Sequence, residues 1–196
     1  MFIPIPFINK VISISTFDLP TYPMTGITNV VVPITPNERK IKNRFHVKQF
    51  VIFLEYDYVS KRQLSNYLSR LSKTVEFYKA YVFRSRPGSN DHWHVIIPEV
   101  CDQGTWLTAL MESGADNSYK SMSMKRGYSV LRISDKREHG APEYAFTFKP
   151  KWDPDDQLPF FSSWHCAFLE KAYGLKIDGP KYNCNTKLIA YFTGHI

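Results

Sequence analysis

Two short patterns in the chain carry residue types that polarise or transfer phosphoryl groups. Glu55 and Asp57 stand at i and i+2 in Gln49-Phe-Val-Ile-Phe-Leu-Glu-Tyr-Asp57. Side chains alternate along a strand, so Phe53, Glu55 and Asp57 share one face, with the acids about 7 Å apart. Carboxylates so placed can share or bridge divalent cations, as metal-assisted phosphoryl transfer requires. The plain alternative is a strand leaving the core for water at Glu55. His92 and His94 repeat the spacing in His92-Trp-His-Val-Ile-Ile97. Two imidazoles on one face can chelate a metal or grip a phosphate, against the plain reading of solvated strand-end histidines. Trp93 and Val95 then point to the opposite face, toward helices.

Cationic segments lie nearby in sequence. Arg84-Ser-Arg-Pro-Gly-Ser89 puts Arg84, Ser85 and Arg86 before a glycine-containing turn whose N–H groups can face an anion. Arg132 and Ser134 alternate out of Val130-Leu-Arg-Ile133, and Lys136 and Arg137 follow. With Lys125 and Arg126 they concentrate positive charge suited to phosphates. Asp116, in Gly114-Ala-Asp-Asn117, reads locally as a turn or cap residue.

The elements that must position these residues follow from periodicity. Strands are expected over 49–57, 79–84, 92–97, 128–133 and 143–148, with a turn over 86–91. A helix starts at Ser60, with Gln63 in the capping-box position and Leu64, Leu68, Leu71 and Val75 as its apolar stripe. A second helix covers 104–113, and a third covers 161–173, ended by Gly174. The order β-α-β-β-α-β-β predicts an α+β fold, a mainly antiparallel sheet backed by helices with an RRM- or ferredoxin-like βαββαβ core. Residues 1–45, punctuated by six prolines from Pro4 to Pro36, read as an extended arm. Residues 46–150 form the expected core, and 151–196 a C-terminal helical extension packed on it, with Trp164, Phe168 and Leu169 in the core.

Composition narrows the class. The chain has 196 residues, 25 Lys and Arg against 18 Asp and Glu, and a formal charge of +7, which favours a polyanionic partner. With 43% hydrophobic and 22% charged residues it can bury a core and is not a disordered chain. No apolar run approaches the ~18 residues of a membrane span, and Pro4 and Pro6 interrupt an N-terminal stretch that lacks a leading basic residue, unlike a secretory signal. Cys101, Cys166 and Cys184 are odd in number and form no CxxC, so a disulfide framework or structural zinc is not expected and a cytoplasmic compartment is.

Taken in order over residues 49 to 148, these segments resemble the catalytic core of the archaeo-eukaryotic primase (prim-pol) superfamily. That family has a strand with two acids, a Ser/Gly turn leading to a His that opens a strand, a third acid, and a late Arg-x-x-x-Lys element. The matching residues are Glu55 and Asp57, Ser85 and Gly88 with His92 or His94, Asp116, and Arg132 with Lys136. The resemblance implies that Glu55, Asp57 and Asp116 bind Mg²⁺ or Mn²⁺. His92 or His94, Ser85, Arg132 and Lys136 would hold a nucleoside triphosphate, with Arg84 beside them. The single-stranded template would run over Arg86, Lys125 and Arg126. The implied role is nucleotidyl transfer in DNA replication, with any helicase supplied by another protein. A virus or plasmid product, acting in host cytoplasm, matches the small size.

A second resemblance is to rolling-circle replication initiators of the HUH endonuclease class. Their first motif is similar to Phe53-Leu-Glu-Tyr56, and their His-hydrophobic-His motif is matched by His92-Trp-His94. In that class the histidines hold a divalent metal, and a helix-borne Tyr with a Lys a few residues on attacks single-stranded DNA. The candidate is Tyr144 with Lys149, although 143–148 alternates like a strand. The acid or amide expected just upstream of the histidines is replaced by Arg84 and Ser85. A third reading is a non-catalytic nucleic-acid-binding module that stacks bases on Tyr56, Tyr58, Tyr81 and Phe83.

Overall fold

The segment bearing Glu55 and Asp57 is apolar on both sides because helices cover both faces of the sheet it joins. A computed structural model describes residues 14–19, 22–31, 48–134, 140–151 and 160–177. In chain order the strands and helices are β1 (Ile14–Leu19), β2 (Tyr22–Thr28), β3 (Phe50–Tyr56), α1 (Lys61–Thr74), β4 (Ala80–Arg84), β5 (Trp93–Cys101), α2 (Gln103–Glu112), α3 (Asn117–Arg126), β6 (Val130–Arg132), β7 (Glu143–Phe148) and α4 (Ser163–Tyr173). The main sheet runs β3-β5-β4-β7, antiparallel throughout, and a smaller one runs β1-β2-β6. This is a helix-backed α+β fold with the succession of a ferredoxin-like core.

Local signals account for most of the elements. At the start of α1, Gln63 N–H donates to Ser60 Oγ at 3.3 Å and Ser60 N–H donates to Gln63 Oε1 at 3.0 Å, the reciprocal capping box. Leu64, Leu68 and Leu71 are buried beneath it. Tyr56 stacks on Tyr67 of α1 at 6.0 Å and donates to the Ser113 carbonyl, so the Leu54–Tyr56 face lies under α1 and the end of α2. The opposite face carries Phe53, packed edge-on against His165 of α4 at 5.5 Å. His165 is held between Ser162 Oγ (2.7 Å) and the Thr28 carbonyl (2.9 Å), a packing role rather than a metal site. Phe168 and Leu169 are buried as expected, and Trp164 is half-buried.

Three features differ from the sequence expectation. Strand β5 continues past Pro98 to Cys101, because its register with β3 jumps from Ile52↔Ile97 to Phe50↔Cys101. That bulge absorbs a proline that has no N–H for a regular ladder. A further helix, α3, occupies 117–126, where polar residues hid a short element whose buried side chains are Tyr119 and Ser123. Strand β6 leaves the main sheet and pairs with β2 of the N-terminal segment, Gly26↔Arg132 to Thr28↔Val130.

Asn29 ties these two sheets together. Its backbone N–H donates to the Ser129 carbonyl (3.0 Å), its carbonyl accepts from Val51 N–H (2.9 Å), its Nδ2 donates to the Val51 carbonyl (2.9 Å), and its Oδ1 accepts from Ser129 N–H (2.8 Å). Being fully buried, it brings β2, β3 and the start of β6 to one line. Among the described residues no helix is long and apolar enough to cross a membrane.

Removing the Asn29 amide would leave a buried donor and a buried acceptor unpaired, each costing about 1–3 kcal/mol. Asn29→Ala is therefore expected to destabilise the fold by roughly 2–5 kcal/mol, read as a lowered midpoint in urea unfolding. An unchanged midpoint would show that the stitch between the sheets carries no stability.

Candidate active site

The antiparallel register of β3 and β5 places Glu55 directly opposite His94. Two residues paired in this way project from the same face, and just beyond the last registered pair, Tyr56↔Trp93, the side chains of Asp57 and His92 approach each other. The imidazole Nε2 atoms lie 3.6 Å from Glu55 Oε1 at His94 and 3.7 Å from Asp57 Oδ1 at His92. Both separations exceed hydrogen-bond length. They are close to the ~3–4 Å between two ligands that share one cation at ~2.1 Å each.

His92 is oriented from behind. Its Nδ1 is 2.6 Å from Asp91 Oδ1 and 3.1 Å from Ser89 Oγ, and Ser89 also donates to Asp91 at 2.5 Å. With Nδ1–H given to Asp91, the neutral imidazole presents a lone pair at Nε2. That nitrogen is buried and has no hydrogen-bond partner among the described residues. A lone pair facing the Asp57 carboxylate is repulsive unless a proton or a cation stands between them. A carboxylate behind the ring, as Asp91 stands behind His92, is a usual outer support of metal-binding histidines.

In front of the acids opens a cavity of about 410 Å³ lined by Glu55, Asp57, Asp116, Tyr119, Arg126 and Arg132, among others. Asp116 reaches it because its N–H donates to the Glu55 carbonyl at 2.9 Å while its side chain caps α3 through Tyr119 N–H at 2.9 Å. Tyr119 in turn donates to the Phe53 carbonyl at 3.2 Å, fastening α3 to β3. Gly26 lines the same cavity, where a Cβ would fall 2.6 Å from Val130 Cγ1. Burial, with the nearby charges of Glu55 and Asp116, raises the Asp57 carboxyl above its ordinary range, opposed by His92 and Arg86.

The expected phosphate-holding residues are less concentrated. Arg132 lines the cavity, but its guanidinium donates to the carbonyls of Ser134 (2.5 Å), Gly140 (2.9 Å) and Ser85. Those bonds pin its charge at the rim. Ser85 is buried, and its N–H donates to the His92 carbonyl at 3.0 Å. Arg84 pairs with Glu143 at 3.9 Å on the far side of the sheet. Lys125 is exposed in the last turn of α3 and does not line the cavity. Lys136 and Arg137 lie outside the described residues.

Tyr144 lies on β7 and not on a helix. A cross-strand row runs Glu55, His94, Phe83, Tyr144, which sets Tyr144 two strands from His94, about 10 Å away. Its hydroxyl pairs with Thr147 Oγ1 at 2.9 Å. A helix-borne tyrosine does pack on the histidine face: Tyr173, the last residue of α4, sits 4.6 Å from Phe83, the direct neighbour of His94. Burial pushes its phenol up to about 12, and Arg132 acts against that shift. Lys176 follows three residues on, exposed. The sequence signal was the Tyr-Gly-Leu-Lys run closing an amphipathic helix, masked because nothing local says which face of the sheet that helix covers. The Ser89–Asp91 support was foreshadowed only by an acid immediately before His92.

Of the aromatics offered for base stacking, Tyr56, Tyr81 and Phe83 are buried in the core and Tyr58 alone is exposed. Among the described residues no group of three or more His, Cys, Asp and Glu side chains is placed to hold one metal ion. Comparison with protein-family models and with curated proteins returns no match.

Asp57 supplies a pH-dependent prediction. A carboxyl raised in the fold stabilises only while protonated, so that contribution is full below the unfolded value near 4 and fades as pH rises through the higher folded value. In chelator-treated protein, Asp57→Asn is expected to raise Tm at pH 7, with the gain vanishing below about pH 4. A lowered Tm at pH 7 would mean that cationic neighbours outweigh burial and the other acids.

Proposed function

We propose that the chain is a divalent-cation-dependent enzyme of DNA replication that nicks single-stranded DNA and becomes joined to it through a tyrosine, in the manner of HUH initiators. The pairing of His92-Trp-His94 with Glu55 and Asp57 across neighbouring strands carries this reading. The acid that the resemblance asks for just upstream of the histidines is supplied instead from β3. The paired imidazole and carboxylate donors, with an orphaned Nε2 on His92, suit Mn²⁺ or Mg²⁺, whose remaining positions water or phosphate oxygens would complete. Bound at these pairs, such a cation would supply Lewis-acid polarisation of the scissile phosphate.

The chain's own residues do the rest. Arg126 and Arg132 draw the phosphate backbone to the cavity. Ser89 and Asp91 hold the His92 ring in one tautomer. Tyr173 attacks phosphorus: the Oη–P bond forms, the P–O3′ bond breaks, and the DNA stays attached by a 5′-phosphotyrosyl link. The phenolic proton passes to water or a site carboxylate, and the leaving O3′ takes one up. Burial keeps the Tyr173 phenol protonated at rest, and Arg132 favours the phenolate as the proton departs. The geometry suits this better than nucleotide binding by the histidines, since both are buried behind the acids.

A second reading, primase-like nucleotidyl transfer, is favoured by one observation. Glu55, Asp57 and Asp116 line a single cavity with Arg126 and Arg132, of a size to accept a nucleoside triphosphate.

A labelled pool of random single-stranded oligonucleotides with Mn²⁺ separates the two. Label that remains on the protein in denaturing gels is expected, and Tyr173→Phe should reduce it about a thousandfold or more while Tyr144→Phe leaves it. Loss in Tyr144→Phe alone would move the nucleophile to β7. Template-directed incorporation of labelled nucleotide without any adduct would establish the primase reading instead. Independently of turnover, millimolar Mn²⁺ should raise the Tm of the wild-type chain by ligand linkage and leave His92→Ala unmoved; equal shifts in both would place the cation elsewhere.

A further inference from the structure

Tyr58 immediately follows Asp57, is 78% exposed, and has φ 59°. Among the described residues it is the only non-glycine in the left-handed region. That conformation is unfavourable for a bulky side chain, and glycine or asparagine would occupy it more readily. Strained backbone of this kind persists where its surroundings over-determine it, and it clusters at functional sites. The surroundings here are explicit: Val59 N–H donates to the Asp91 carbonyl at 2.9 Å, and Trp93 Nε1 donates to the Val59 carbonyl at 2.6 Å. The turn is therefore clamped to the segment that carries His92. The Tyr58 ring meets the His92 ring at 4.8 Å and 66°, edge to face, which fixes its direction while most of its surface stays in water. Arg86 is half-buried and near enough for its charge to act on Asp57. An exposed ring adjoins Asp57 on one side, and the Arg86 charge reaches the same carboxylate. Exposed rings combined with cationic side chains are the means by which proteins hold single strands without reading sequence.

We infer that Tyr58 is a positioning residue that stacks on one base of single-stranded nucleic acid, with Arg86 on an adjacent phosphate, and so sets which phosphodiester reaches Asp57 and His92. This rests on the nucleic-acid reading of the site but not on the nicking chemistry. Stacking is sequence-tolerant, since every base has a face to offer, and it needs no divalent cation.

The test is fluorescence anisotropy of labelled oligothymidylate with the full-length chain in EDTA. Tyr58→Leu, which keeps apolar bulk but loses the ring, should weaken binding about 5- to 150-fold. Tyr58→Trp should bind within about twofold of wild type. A 2-aminopurine placed in the oligonucleotide should be quenched by wild type and Tyr58→Trp but not by Tyr58→Leu, a signature that a structural role would not produce. Thermal melting of each variant keeps a folding defect apart from a binding one, and Tyr58→Gly should melt at or above wild type because it relieves the left-handed turn. Wild-type affinity in Tyr58→Leu, or no oligothymidylate binding by the wild-type chain at low salt, would overturn the inference. Tyr58-dependent binding without any covalent adduct would sink the nicking reading alone, whereas an adduct with Tyr58-independent binding would sink this inference alone.

Discussion

The register between β3 and β5 is the constraint on which the site depends. Alternation puts Phe53, Glu55 and Asp57 on one face of β3 and His92 and His94 on one face of β5, but only pairing Glu55 with His94 brings the two sets into one polar row. A slip of one residue would turn either set toward α1, where Leu64, Leu68 and Leu71 make an apolar layer. The register is held from both sides. Tyr56 and Trp93 are locked on the α1 face through the Ser113 and Val59 carbonyls, and Phe53 is locked on the α4 face through His165.

That constraint explains why ionisable groups sit in an otherwise apolar sheet. His92 and His94 are as buried as the core around them, and Asp57 is partly desolvated beside two other acids. A sheet selected for stability alone would place valine or isoleucine at these positions. His92 Nε2 and the Asp57 carboxylate stand 3.7 Å apart, with the ring held from behind by Asp91, a gap that a proton or a cation would bridge favourably. The acids also reach the cavity through elements with no polar task of their own: α3 enters by its Asp116 cap, and β6 brings Arg132 because β2 draws it out of the main sheet.

The two enzymatic resemblances share most residues and differ in what the histidines do. The imidazoles stand behind the acids, with Nε2 3.6 Å from Glu55 at His94 and 3.7 Å from Asp57 at His92, and neither is among the residues lining the cavity. Arg132, bound to three backbone carbonyls, acts as a fixed rim charge more than as a mobile clamp. Both facts shift weight from the triphosphate toward a backbone phosphate.

Strands 50–56 and 80–84, the Ser60 capping box and the Gly174 stop were legible in the chain because each rests on local periodicity or a cap. So was the sharing of a face within each acid or histidine pair, which follows from strand geometry alone. The sequence left open how the pairs meet, because register is a contact between segments some forty residues apart. It also left open that α4 covers the histidine face and so delivers Tyr173, and that three of the aromatics offered for stacking are core while Tyr58 is not. Alternation says that two residues share a face; only the packing of helices on that face decides whether it is wet or dry, and which tyrosine stands over it.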